Sequence, residues 1–348
     1  MSATDFSLIQ QYAEQHQREL LNLVVMNNEI FQKMDVVAGV KDKYTMTELM
    51  FEKIFKPYAK NWDPDANKAK LTPRTGRVEI GQVELEEEPL AYRKTYYGNI
   101  LKKGVNPDDH PFAKEFLEGI AKRISNDIND DLAMWGNIDL RTSQTPSIAK
   151  SVKAINDGFM TIIDREIALN NISVAKGNLI HTGDINSTNA LAKLKAFYRA
   201  ACTKMPSIRS QVIKLYCSYD ILDAYEDNYQ AVVGPAVYNS AFEKGFLEGS
   251  ARKCIIEPLS ALGNSKRIML GPEKNFKVLV DQTSDQEKIN VFSPGNPKVM
   301  GFFLAAAIGF QFMTLNALWT NEAEVDGDAS GSPSASASSS PSGSPSGS

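Results

Sequence analysis

Three observations in the sequence predict an α+β protein. A single long amphipathic helix lies in the first half, a charged extended stretch precedes it, and short apolar segments at strand spacing close the chain after several more helices. The long helix runs from Pro107 to Trp135. Asp108 and Asp109 place negative charge beside its first turn, and Pro111 suits the first helical position, where its missing N–H has no partner to lose. Phe112, Phe116, Ile120, Ile124, Ile128 and Leu132 recur every four residues with Ala113, Leu117 and Ala121 beside them. That stripe drifts around the axis and suits a curved or crossing surface. Such a helix is about 36 Å long, and Gly136 is its expected stop.

In chain order, Asp5 to Val25 forms a helix with a mostly polar surface, dependent on a neighbour for stability. Val36 to Val40 is a short strand, and Tyr44 to Phe55 a helical piece closed by Pro57. From Lys60 to Lys103, Pro and Gly punctuate the chain and no helical period survives. Val78 and Ile80 share one face, Val83 and Leu85 the other, so a bulge is expected at Gly81 and Gln82. Two strands turning at Glu86 to Pro89 would make a hairpin arm. Its charges segregate: Lys68, Lys70, Arg74 and Arg77 enter, Glu84, Glu86, Glu87 and Glu88 occupy the tip, and Arg93 and Lys94 return. It is either a solvated hairpin or an arm laid on another subunit, because a lone two-stranded ribbon is barely stable in water.

After the long helix, Ser151 to Asn170 and Ala190 to Met205 read as amphipathic helices, Gln211 to Ser218 as a buried strand, and Tyr219 to Tyr229 as a short helix. Short strands follow at Lys253 to Glu257, Arg267 to Leu270, Phe276 to Val280 and Lys288 to Phe292. Val299 to Trp319 holds no charge over 21 residues, long enough to span a membrane. Gln311, Thr314 and Asn316, together with Gly301 and Gly309, favour two or three buried strands of a central sheet instead. From Gly327 to Ser348 the chain is almost wholly Ser, Gly, Pro and Ala, a composition that cannot order itself.

Composition narrows the function. With 43% apolar and 23% charged residues, the 348-residue chain can bury one large or two modest cores. A net charge of −4 gives no basic excess for tightly held nucleic acid. Cys202, Cys217 and Cys254 lack paired spacing and fit buried free thiols. His16, His110 and His181 are isolated from further ligands, so no zinc site is expected. Asp127, Asp130 and Asp131 read as a solvated helix face rather than a cation site. No phosphate loop, dinucleotide fingerprint or nucleophile elbow occurs, and neither a catalytic residue nor a cofactor is expected.

The order of elements carries a resemblance. Asn106 to Ala113 followed by Ile120 to Ile124, then Asp131 to Gly136, Gly183 to Ala190 with Leu194 to Tyr198, Leu215 to Ser218 with Tyr225, and Gly271 to Phe276 are its residues. They resemble the major capsid proteins of tailed phages, which have the Hong Kong 97 fold, and are similar to those of phages infecting Bacteroidetes-type hosts. The likeness spans about Val36 to Asn321. It implies an N-terminal arm at 1–59 and an extended loop at 60–105. A peripheral domain with the spine helix would take 106–150 and 282–326, an axial domain 151–281, and a disordered tail 327–348. It implies a shell subunit that assembles through hexamers and pentamers around double-stranded DNA in the cytoplasm of a bacterial host. Its partners would be its own copies, a separate scaffolding protein, a portal protein and DNA held without sequence-specific contact, with no membrane. The same fold serves encapsulin-type compartments, one rival reading; a membrane anchor at 299–319 is the other.

Overall fold

The computed structural model describes residues 28–51, 54–58, 60–61, 64, 68–87, 112–234, 245–281, 290–292 and 299–322. The expected helix at Asp5 to Val25, the start of the spine at Pro107 to Pro111, the turn at Glu88 and Pro89, Arg93, Lys94 and the Ser/Pro tail lie outside them. In chain order the elements are α1 (Glu29–Lys33), β1 (Asp35–Ala38), β2 (Lys43–Phe51), β3 (Ala69–Arg77), β4 (Glu79–Glu87), α2 (Phe112–Asp127), α3 (Phe159–Ala168), α4 (Ala190–Lys204), β5 (Ile213–Cys217), α5 (Tyr219–Val233), β6 (Cys254–Pro258), β7 (Met269–Gly271), β8 (Phe276–Val280), β9 (Asn290–Phe292), β10 (Met300–Phe312) and β11 (Trp319–Thr320).

These strands form two sheets and a ribbon. The first sheet has the order β1-β8-β10-β4 with β9 also on β10, the second β11-β7-β5-β6, and β2 with β3 makes the ribbon. Several expectations are corrected here. Tyr44 to Phe55 is not helical: β2 occupies its first part and pairs antiparallel with β3. Met46, Leu49 and Met50 have helical spacing, but the partner strand decides the conformation. The hairpin expected to turn at Glu86 to Pro89 has its turn and returning strand outside the described residues, and only its incoming part is seen, as β3 and β4. The two strands form one extended run broken at Val78, and β4 pairs with β10, from Glu87 beside Met300 to Glu79 beside Ile308. Alternation along β4 is uninterrupted, so the expected bulge is absent. Glu79, Gly81, Val83, Leu85 and Glu87 are half-buried while Ile80, Gln82, Glu84 and Glu86 face out. Gly81 takes an inward position because Ile155 occupies the space its side chain would need.

The apolar run at 299–319 forms strands, not a spanning helix. β10 is one strand of 13 residues whose backbone pairs with β4 and β9 on its outer half and β8 on its inner half. Among the described residues no helix is long and apolar enough to cross a membrane. The run then enters the second sheet, where Trp319 of β11 pairs with Leu270 of β7. Since β8 lies in the sheet of β10, a division at 281/282 falls within the first sheet.

The spine helix α2 continues through a π turn at Ile128–Leu132 into a last helical turn, Ala133–Trp135. Its buried face is Leu117, Ala121, Ser125, Ile128 and Leu132. Of the expected core residues only Ile128 and Leu132 are buried; Phe116, Ile120 and Ile124 are half-buried, and Phe112's side chain lies outside the described set. A strict four-residue stripe outruns a helix of 3.6 residues per turn, and the step of three from Ser125 to Ile128 returns it to the core side. Asn28 caps α1 through Oδ1 and donates from Nδ2 to the Ser125 carbonyl at 3.0 Å, fastening α1 to the spine. At its other end α1 meets the second sheet, where the Tyr216 hydroxyl donates to the Lys33 carbonyl at 2.8 Å.

The helix expected from Ser151 begins only at Phe159, after Asn156-Asp157-Gly158. Gly158 donates to the Gly136 carbonyl at 2.8 Å, and a Cβ there would come within 2.6 Å of the Met134 backbone. That close crossing needs glycine and ends any helix leading into it. Phe159 then anchors the first core, its ring 5.1 to 6.1 Å from those of Phe276, Phe310 and Phe312. A second core gathers α4, α5 and the second sheet around Leu194, Phe197, Leu215, Tyr225 and Trp319. Cys202, Cys217 and Cys254 are buried free thiols; burial pushes that of Cys217 up to about 12.

Candidate inter-subunit surface

The β2–β3 ribbon has two unlike faces. One, carrying Tyr44, Met46, Glu48 and Met50 with Lys70, Thr72, Arg74 and Gly76, rests its root on the body: Met46 and Gly76 are buried. Arg74 fixes that root, donating from Nη2 to Glu166 Oε1 at 2.8 Å and Gln311 Oε1 at 3.0 Å, and from Nε to the Phe312 carbonyl at 3.2 Å. Glu48 accepts from the Thr314 hydroxyl and from Asn316 Nδ2. The opposite face, with Thr45, Thr47, Leu49 and Phe51 beside Thr75, Pro73, Leu71 and Ala69, is exposed throughout. Pro73 is tolerated because β3 has a partner on one side only.

Towards its free end the ribbon gathers apolar side chains. Leu49 lies directly opposite Leu71, and Phe51, Leu71 and Ile54 are each about 60% exposed, with Phe55 and Tyr58 almost wholly so. So many large apolar groups together are uncommon on a monomer's surface.

The sequence-predicted contact residues separate accordingly. Lys70 is exposed near the ribbon end, opposite Met50, and Lys68 half-buried beside it. Arg74 is committed to the ion pair with Glu166, and Arg77 lies exposed at the root. Glu84 and Glu86 project from the outer face of β4, and Glu87 is half-buried. Glu88, Arg93 and Lys94 lie outside the described residues. The described acidic and basic groups thus occupy two places, Glu84 and Glu86 along β10 and Lys70 at the ribbon end. Sequence reasoning missed Leu49, Phe51, Ile54, Phe55, Tyr58 and Leu71; the alternation Thr45, Thr47, Leu49, Phe51 was the available signal.

On the spine, the carboxylates have separate partners: Asp127 pairs with Arg123 at 2.8 Å, Asp131 with Lys153 at 3.6 Å, and Asp130 accepts from Asn129. Burial raises the pKa of Asp127 despite the guanidinium of Arg123 beside it. Folded Asp127 therefore holds its proton more tightly than unfolded Asp127, and its ionisation at neutral pH opposes folding. Asp127→Asn is expected to raise the melting temperature at pH 7. The gain should vanish near about pH 3, where the carboxyl is largely protonated in both states; an equal gain at both pH values would contradict this.

No family model matches the chain, and no curated protein matches it. Among solved structures, it is similar to a chain of the satellite phage P4 procapsid that includes the size determination (Sid) protein. Identity is 11%, coverage 88% of this chain and 98% of that one, and the TM-score 0.53. The capsid of Myoviridae Phage XM1 matches at 10% identity, covering 84% of this chain and 90% of that one, with a TM-score of 0.49. The holo-SrpI encapsulin complex of Synechococcus elongatus matches at 12%, covering 83% and 85%, with a TM-score of 0.46. The fold is α+β and of the Hong Kong 97 phage-capsid type.

Proposed function

We propose that the chain is the major capsid protein of a tailed phage, with a Bacteroidetes-type host, assembling through hexamers and pentamers into an icosahedral shell around double-stranded DNA. The observation that carries this is the β2–β3 ribbon, held at its root by Arg74 and Glu48 and presenting an exposed face that turns apolar towards its free end, with no described residue of its own subunit covering it. On a chain of this fold, such a surface supports contact between copies. In this reading α2 and the first sheet form the peripheral domain, and α4, α5 and the second sheet the axial domain at capsomer centres. Lys70, Glu84 and Glu86 join the contact, while DNA is enclosed without sequence-specific contact by a chain of net charge −4. A scaffolding protein and a portal protein would be separate partners, and assembly takes place in the host cytoplasm. The purified chain, followed by sedimentation and negative-stain microscopy, should form closed shells or capsomer rings. A chain that pellets only with membranes would overturn the proposal.

A further inference from the structure

Beyond the shell reading, and independently of it, we infer that the space between the spine and the first sheet is a binding site for a short alkylammonium ion, its carbon chain inside and its ammonium group on Asp127. The space follows from strand register. On the face of β4 and β10 turned towards the spine, Val83 lies opposite Leu304, Gly81 opposite Ala306 and Glu79 opposite Ile308. The two smallest residues thus meet between larger neighbours and leave a hollow in the floor. Ile124, Ile128 and Leu132 of the spine roof it, and Val152 and Ile155 close a side, around a cavity of about 80 Å³. A Cβ at Gly81 would stand 3.0 Å from Ile155, so the gap cannot be closed from β4 without moving that side chain.

The lining decides the chemical class of the occupant. It is apolar save for Gln82 and Asp127, and Asp127 is its one ionisable group. A buried water needs about two to four polar partners, whereas dry apolar cavities of about 150 Å³ take up molecules the size of benzene. The smaller volume here suits a chain of about four carbons. Asp127, its side chain 27% exposed, brings charge to the edge of the hollow. Its salt bridge with Arg123 engages Oδ1, and no described residue bonds Oδ2. Burial opposes its ionisation, and so do the neighbouring carboxylates of Asp131 and Asp130. Lys153 is paired with Asp131 at 3.6 Å. A carboxylate compensated so incompletely gains from a further cation, and an ammonium group donates to it in a charge-assisted bond. An anion would find no such welcome, since the Gln82 amide already donates to Glu84. Bound there, the ion stabilises the folded chain in proportion to its occupancy.

The test uses the full-length chain, photolysed with a diazirine-bearing butylamine and mapped by peptide mass spectrometry. Labelling is expected within 124–132, 152–155 and 304–308. Excess n-butylammonium chloride should suppress it, and sodium chloride at equal ionic strength should not. Asp127→Asn should weaken labelling by the amine about tenfold or more, and leave labelling by the matching diazirine alcohol unchanged. Ala306→Leu fills the hollow and should abolish both. If that variant does not fold, Val83→Ala takes its place, and the enlarged cavity should shift protection from butylammonium towards hexylammonium. Labelling that butylammonium does not suppress, that lies elsewhere on the chain, or that survives undiminished in Asp127→Asn would overturn the assignment. No arm requires assembly, so the site and the shell reading stand or fall separately.

Discussion

Replacing Phe51 and Leu71 together with threonine is expected to leave the subunit folded and abolish assembly. Both side chains are 62% exposed, on the ribbon face that no other described residue covers. Their loss removes little from the monomer, since exposed substitutions away from special features change stability by within about 0.5 kcal/mol. Threonine keeps the strand preference, so the ribbon retains its backbone pairing. In an assembled contact the same side chains leave water, and full burial of a large apolar side chain stabilises by roughly 1.5–3 kcal/mol. Two such losses at each contact correspond to a hundredfold or greater rise in the assembly concentration, at about 1.4 kcal/mol per factor of ten. Circular dichroism and thermal melting should match the parent while sedimentation shows no particles. Particles at the parental concentration would remove this face from the interface.

Elements whose environment is written in their own residues were legible in the sequence. Phe276–Val280 buries every residue but Lys277, and its four large apolar side chains read as a strand, so β8 occupies the expected residues. Ala190–Lys204 presents Leu191, Leu194, Phe197, Tyr198 and Ala201 to the core at helical spacing, and α4 ends one residue short of the expected Met205. What stayed hidden depends on distant partners. The residues of β2 satisfy a helical period and a strand period at once, and the choice between them is made by β3, whose Arg77 lies beside Lys43. β4 finds its partner more than 200 residues later in β10, a pairing that no local pattern states.

The candidate surface was half legible for the same reason. Charge segregation located Lys70, Glu84 and Glu86, all of them exposed, but the pairing of β3 with β2 and of β4 with β10 that separates them was not written in it. The alternation Thr45, Thr47, Leu49 and Phe51 marked a shared strand face, but nothing in it told whether that face meets a core or solvent. Exposure became visible only once Met46 and Gly76, on the opposite face, were found buried against the body.

Arg74 is the residue whose loss should damage the subunit most directly. Its guanidinium and the Glu166 carboxylate are only 15% and 13% exposed, and it also bonds Gln311 and the Phe312 carbonyl, joining ribbon, α3 and β10. Arg74→Ala would leave the partly buried Glu166 carboxylate, among the described residues, with the Asn171 amide alone, which donates to its other oxygen at 2.8 Å. Removing one partner of a buried pair costs about 3–5 kcal/mol, because the remaining charge keeps its desolvation penalty. At this partial burial a loss of about 3 kcal/mol in denaturant unfolding is expected, with faster proteolysis within β2 and β3 as the ribbon root loosens. Arg74→Lys should fall between, since an ammonium keeps the charge but not the planar fork that reaches three acceptors. The decisive variant is Arg74→Met with Glu166→Gln. If the cost arises from the stranded carboxylate, the double variant recovers most of the stability lost by Arg74→Met alone. It would still fail to assemble efficiently, because the ribbon would no longer be aimed. Equal destabilisation in the single and double variants would instead assign the cost to lost packing of the arginine stem.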